Sequence, residues 1–234
     1  MSITKKNNEK PINNILYSFR RCPYAMRARW ALLKADQQVI LREVNLKDKP
    51  IELINNSKNS TVPLLVLESG VILNESIDII YWADNIIRIK NGLIKQKHPY
   101  QQEINLLLNQ NDLIFKFHLD RYKYPNRFPN CNPKEHLIES EKILQEWNER
   151  LGKSSKKNSK AWLIGDKESI ADYSLWPFVR QFRLVNQEYF DNNIKFKYLK
   201  VWLDFYLNHK LFSVLMKKYK FWNRESKEVL FPSE

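Results

Sequence analysis

Two cysteines occur in the 234-residue chain, and one of them stands in a context that suggests chemistry. Cys22 lies in the segment Leu16-Tyr17-Ser18-Phe19-Arg20-Arg21-Cys22-Pro23-Tyr24-Ala25. An apolar strand ends there, a short turn follows, and Pro23 suits the first turn of a helix. The unpaired N–H groups and the dipole of a helix N-terminus favour an anion. A cysteine so placed, with Arg20 and Arg21 beside it, is expected to have a lowered pKa and to act as a nucleophile at neutral pH. The alternative is an inert buried thiol, a common state of free cysteine. Position 25 is alanine, so no resolving cysteine stands three residues on, which favours a one-thiol mechanism over dithiol exchange.

Two further segments could hold a ligand. Proline is rare inside strands, so Thr61-Val62-Pro63 at the start of a strand predicts a cis Val62–Pro63 bond. Such a turn would present the Val62 N–H and C=O to an extended peptide, which could pair there as an added strand. An ordinary strand-opening proline accounts for the same residues. Asn74-Glu75-Ser76 then opens a helix. The Ser76 hydroxyl and nearby N–H groups could hold a carboxylate, and Glu75 an ammonium group, as helix N-termini allow. A plain helix cap is the simpler account. In order, a thiol, a peptide-pairing turn and a carboxylate/ammonium pair suit a small peptide with a free amino-acid end.

These residues need elements to position them. From Ile15 the pattern reads strand, helix, strand, helix, strand, strand, helix: Ile15–Tyr17, Pro23 to Lys34, Val39–Val44, Pro50–Asn56, Val62–Leu67, Val71–Leu73 and Glu75 to Ile87. This is a small thioredoxin-like α/β unit over residues 1–84, with its ordered core from about residue 14. Residues 85–99, polar and ending at Pro99, read as an inter-domain linker. Residues 100–234 read as an all-helical domain, with helices near 101–119, 134–151, 169–186 and 197–208 and a shorter one near 211–220. No strand is expected to return. Lys153–Lys160 reads as a surface loop.

Composition narrows the function classes. Hydrophobic residues make up 43% of the chain, which is globular composition. No apolar run approaches the roughly 20 residues that span a bilayer, and the polar N-terminus has no secretory pattern. A soluble, cytoplasmic protein with no membrane partner is expected. The four histidines lack metal-ligand spacing, so no metal is assigned, and four glycines build no phosphate loop. The net charge is +13, with 27 basic and 17 acidic residues in 85–234 against 12 and 9 in 1–84. A basic surface can attract nucleic acid or acidic proteins. In a chain rich in Asn and Ile, a solvated lysine-rich surface is the simpler reading, and nucleic acid is not expected as a partner.

Taken together, the chain resembles a glutathione transferase, and is most similar to the cysteine-containing, omega-like classes, from Ile15 to about Trp222. The resemblance rests on Arg21-Cys22-Pro23-Tyr24-Ala25, Asn45-Leu46-Lys47-Asp48-Lys49-Pro50, Val62-Pro63 and Glu75-Ser76. It rests also on Leu163-Ile164-Gly165-Asp166-Lys167-Glu168-Ser169-Ile170-Ala171-Asp172, where Ser169 and Asp172 match a capping box. The resemblance implies a thioredoxin-like domain followed by a helical-bundle domain, glutathione as cosubstrate and a homodimer. It implies Cys22 as the site of a mixed disulfide with glutathione, with Tyr24 and Leu46 lining the pocket. Lys49 would reach the glycyl carboxylate, Val62 beside Pro63 the cysteinyl backbone, and Glu75 and Ser76 the γ-glutamyl end. A second-substrate pocket between the domains would draw on Phe117, Arg121, Tyr122, Tyr124, Arg127, Trp176 and Arg180, with Trp176 better read as core. The expected activity is thiol transfer or reduction, including deglutathionylation, on a small-molecule or glutathionylated substrate. Conjugation of electrophiles and a non-catalytic binding module are the alternatives.

Overall fold

The computed structural model describes residues 14–57, 59–93, 100–156 and 160–233. The N-terminal stretch 1–13, the linker end 94–99 and positions 157–159 of the polar run lie outside the described residues.

Short apolar segments supply the sheet: β1 (Ile15–Ser18), β2 (Val39–Glu43), β3 (Leu64–Val66) and β4 (Ile72–Leu73). β1 pairs parallel with β2 and antiparallel with β3, which pairs antiparallel with β4. Between β1 and β2 runs α1 (Pro23–Lys34), rich in Ala and Leu and therefore strongly helix-forming. Its two faces serve two cores. Ala28 and Leu32 join the sheet-side cluster with Leu16, Val39, Leu41 and Leu65, whereas Met26, Trp30 and Ala31 join the helical-domain cluster. α2 (Ile51–Asn56) follows β2, and α3 (Ser76–Lys90) closes the unit.

The helical domain contains α4 (Gln101–Asn109) and α5 (Lys116–Lys123), joined without a break by a wide π-helical segment, Gln110–Phe115. After it come α6 (Pro133–Ser155), α7 (Ile170–Arg183), α8 (Gln187–Asn192), α9 (Lys197–Leu207) and α10 (Lys210–Leu215). Trp30 of α1 anchors the two units. Its ring meets Trp176 at 5.2 Å, Tyr206 at 5.3 Å and His209 at 5.3 Å between centroids. Such edge-on aromatic pairs add about 0.5–1.5 kcal/mol each beyond area burial.

Two expectations need correction. α3 runs to Lys90, so the linker begins inside a helix: Ile79, Ile80 and Ala83 bury its inner face, and helical bonding continues past them. A strand also returns. β5 (Leu230–Phe231) pairs antiparallel with β2, giving the order β4-β3-β1-β2-β5. The C-terminal tail thus belongs to the first unit's sheet, not to the helical domain. Its two-residue strand is too short to show alternation, and its driving force is long-range. Phe231 is fully buried in the sheet-side cluster, 4.4 Å from the buried Arg29 guanidinium carbon. Trp222 donates its backbone N–H to Glu43 O, and the Arg42 guanidinium lies 4.0 Å over its ring.

Candidate active site around Cys22

Cys22 is the N-cap residue of α1, in extended conformation, with its carbonyl accepting the first helical bond from Met26 N at 2.8 Å. Its side chain is half-buried. It borders a cavity of about 600 Å³ lined also by Tyr24, Arg27, Leu46, Lys49, Val62, Pro63, Glu75, Ser76 and Asp112, among others. Every cosubstrate-site residue expected from the sequence therefore faces one space. The Val62–Pro63 peptide is cis, and the Cys22 thiol points at the Val62 carbonyl, 3.7 Å away.

The electrostatics differ from expectation. Burial pushes the Cys22 thiol pKa up. The N–H groups of Ala25 and Tyr24 and the charges of Lys116 and Arg27 pull it down without reversing the direction. An S–H that donates to a carbonyl is held in its neutral form, which acts in the same upward sense. The local cations are also different ones. Arg20 turns its guanidinium to Met216 O at 3.3 Å, and Arg21 sits over the Phe19 ring, leaving Lys116 and Arg27 as the charges felt by the thiol.

Arg27 is a cavity-lining residue that sequence reasoning missed. It is 2% exposed, donates Nε to Ser76 Oγ at 3.0 Å, and pairs both terminal nitrogens with Asp112 at 2.9 and 2.8 Å. A fork-on-carboxylate pair of this kind fixes geometry as well as charge. Asp112 sits in the π-helical segment, so a local widening of the helix delivers the partner across the domain boundary. Ser76 Oγ is therefore engaged as an acceptor, while its hydroxyl proton stays available to a ligand. The missed signal was Arg27 and Arg29 within Ala25–Leu32, a helix otherwise apolar on both sides. Charges there must find partners. Asn59 and Ser60 also line the cavity and carried no motif.

None of the seven second-substrate candidates is among the residues that line the Cys22 cavity. Arg121 stacks 3.5 Å over Phe117, on an exposed face. Tyr122 packs on Phe182 at 5.6 Å, and Arg127 lies over Tyr124 at 4.2 Å. Trp176 is fully buried and stacks on Tyr206, which is a core position. Arg180 alone of the seven lines a neighbouring cavity. Ser169 Oγ accepts from Asp172 N while the Asp172 carboxylate accepts from Ser169 N, the reciprocal pattern of a capping box. Among the described residues, no group of three or more His, Cys, Asp or Glu side chains could hold a metal, and no helix is long and apolar enough to cross a membrane.

Comparison with known proteins fixes the family. The model of the glutathione S-transferase N-terminal domain matches residues 16–87, and that of the C-terminal domain matches residues 134–205. The chain belongs to the glutathione S-transferase family. Among curated relatives, glutathione S-transferase omega-1 of Mus musculus is 26% identical over 171 residues, 71% of this chain and 65% of its own length. Glutathione S-transferase U22 of Arabidopsis thaliana is 33% identical over 89 residues, 38% of this chain and 40% of its own length. The match thus spans less than two thirds of either relative. Among solved structures, Ure2p in complex with glutathione superposes with a TM-score of 0.74 at 16% identity, over 88% of this chain and 100% of that one. A Tau class glutathione S-transferase from mango, Mangifera indica, gives 0.72 at 19% identity, over 88% and 93%. At these identities the structures establish the glutathione transferase fold.

Proposed function

We propose that this protein is a glutathione-dependent thiol transferase working through a Cys22–glutathione mixed disulfide. The observation that carries the reading is the convergence of the Cys22 thiol with Val62, Lys49, Glu75 and Ser76 on one cavity. The γ-glutamyl end lies at Glu75 and Ser76, the cysteinyl backbone pairs with Val62, and Lys49 takes the glycyl carboxylate, with Tyr24, Leu46 and Pro63 lining the walls. The Cys22 thiolate attacks the glutathionyl sulfur of a mixed disulfide, GS–SR. The S–S bond breaks and RS⁻ leaves to take up a proton. A glutathione thiolate then attacks the Cys22-bound glutathione, releasing oxidised glutathione and regenerating Cys22 thiolate. The net change is GS–SR plus GSH to GSSG plus RSH. A peptide N–H pairing with the Val62 carbonyl competes with the thiol proton for that acceptor, which favours the thiolate when glutathione is bound. A cytoplasmic homodimer is part of this reading.

The test is turnover of bis(2-hydroxyethyl) disulfide with glutathione by wild type and Cys22→Ala. Loss of at least about a hundredfold in the variant is expected, the order of effect for removing a nucleophile. Full activity in Cys22→Ala overturns the reading. One observation favours a second reading, conjugation of glutathione to electrophiles: burial raises the Cys22 pKa, which disfavours the thiolate that disulfide exchange needs. Electrophile turnover that survives Cys22→Ala would select it. Glutathione binding without any turnover would select a non-catalytic module.

A further inference from the structure

A second cavity of about 300 Å³ lies where the β1–α1 turn meets the helical domain. It is lined by Arg20, Arg21, Lys123 and Arg180, with Met26 and Pro177 among its apolar walls. Arg21 directly precedes Cys22, which puts consecutive Cα atoms about 3.8 Å apart across the trans bond between them. We propose that this cavity receives the leaving half of the disulfide substrate and selects for an anionic group on it, a carboxylate, sulfonate or phosphate. The inference rests on the thiol-transfer reading for its substrate and names the class of that substrate.

Three observations carry it. The four basic side chains come from three elements, so the fold gathers them, not the local sequence. None of the four forms an ion pair with a described residue. No carboxylate is among the lining residues; Glu43, which accepts the Arg20 backbone N–H at 2.6 Å, faces Arg29 at 3.8 Å. The cations are otherwise spent on weak contacts: Arg20 on Met216 O, Arg21 on the Phe19 ring, Lys123 on the Tyr124 ring and Arg180 on the Phe212 ring. Like charges gathered in a partly buried space repel one another, and an anion relieves that repulsion. Gln181 also lines the cavity, and its side-chain oxygen is buried without a hydrogen-bond partner.

The experiment compares two mixed disulfides of glutathione, one with 2-mercaptoethanesulfonate and one with 2-mercaptoethanol, differing in charge at the leaving half. The readout is the ratio of their kcat/KM values, with oxidised glutathione formation followed in both. For wild type the sulfonate is favoured, and the ratio falls at least about fivefold in Arg21→Gln/Arg180→Gln. It falls also as salt rises from 20 to 500 mM with wild type, since the Debye length shortens from about 20 Å to about 4 Å. Arg21→Lys/Arg180→Lys retains most of the preference. A ratio unchanged by both the Gln variant and salt overturns the inference while the thiol-transfer reading stands. If neither disulfide turns over, that reading fails, and Cys22 alkylation by iodoacetate against iodoacetamide decides the cavity, read at the Cys22 peptide by mass spectrometry. A rate ratio equal in wild type and the Gln variant then overturns anion selection; a ratio that falls in the variant supports it.

Discussion

A thiol at a helix N-terminus is usually expected to be acidic, yet burial raises the Cys22 pKa. The helix end supplies N–H groups, but the same packing that builds the cavity removes water from the sulfur, and a carbonyl lies in reach of its proton. The thiolate fraction of the free protein should therefore climb only above the ordinary thiol range. The iodoacetamide rate at Cys22, followed against pH, is expected to have its midpoint above about 8.5; a midpoint near 6 contradicts this account. Arg27 is the second residue that decides the site. Arg27→Ala leaves Asp112 and Ser76 without their donor, and losing this buried side chain from a part-buried ion pair should cost about 2 kcal/mol. Urea unfolding should show that loss, and glutathione affinity should weaken because Ser76 is no longer held.

The segment that opens α7 is where element-scale forces are clearest. Asp172 accepts from Leu163 N at 2.8 Å, Ser169 N at 3.0 Å and Trp202 Nε1 at 3.0 Å, tying three segments to one fully buried carboxylate. Burial pushes its pKa up to about 6, despite these donors. The unfolded value is about 3.9, so the folded chain binds more protons between pH 4 and 6. That contribution to stability is full below about pH 4 and is lost as pH rises through 6. Asp172→Asn removes this dependence. The stability advantage of wild type over the variant should therefore shrink from pH 4 to 6 and level off above, measured by denaturant unfolding at each pH. A gap that widens over this range contradicts the assignment.

At the scale of the whole molecule, the chain is tied at three places: Trp30 in the helical core, Arg27 to Asp112, and the tail along β2. The tail covers Arg29, whose buried guanidinium has Glu43 at 3.8 Å and the rings of Phe231 and Tyr219 over it. Phe231→Ala opens a cavity at the sheet edge and should cost about 3 kcal/mol in urea unfolding. A change below about 1 kcal/mol would mean the tail rests on the sheet without stabilising it. Light scattering of the purified protein is expected to give twice the 28.2 kDa chain mass, the homodimer that the proposed function includes.

The sequence by itself determined the thioredoxin-like unit, the helical second half and the residues that converge around Cys22. Those are encoded locally, in strand and helix periodicity, Pro23 at a helix start, Val62-Pro63 at a strand start and Ser169 to Asp172 at a helix cap. Tertiary structure decided what depends on partners far apart in sequence. Arg27 and Asp112 are 85 residues apart, and nothing near either one announces the other. β5 is two residues long and forms because β2 offers an open edge and Phe231 fills the core beneath it. The basic cavity likewise draws Arg20 and Arg21 from the β1–α1 turn, Lys123 from α5 and Arg180 from α7. The Cys22 pKa turned on the same distinction: the helix end that lowers it is legible in sequence, and the burial that raises it comes from packing against Tyr17, Val44, Leu53, Val62 and Leu64, which are brought together only by the fold.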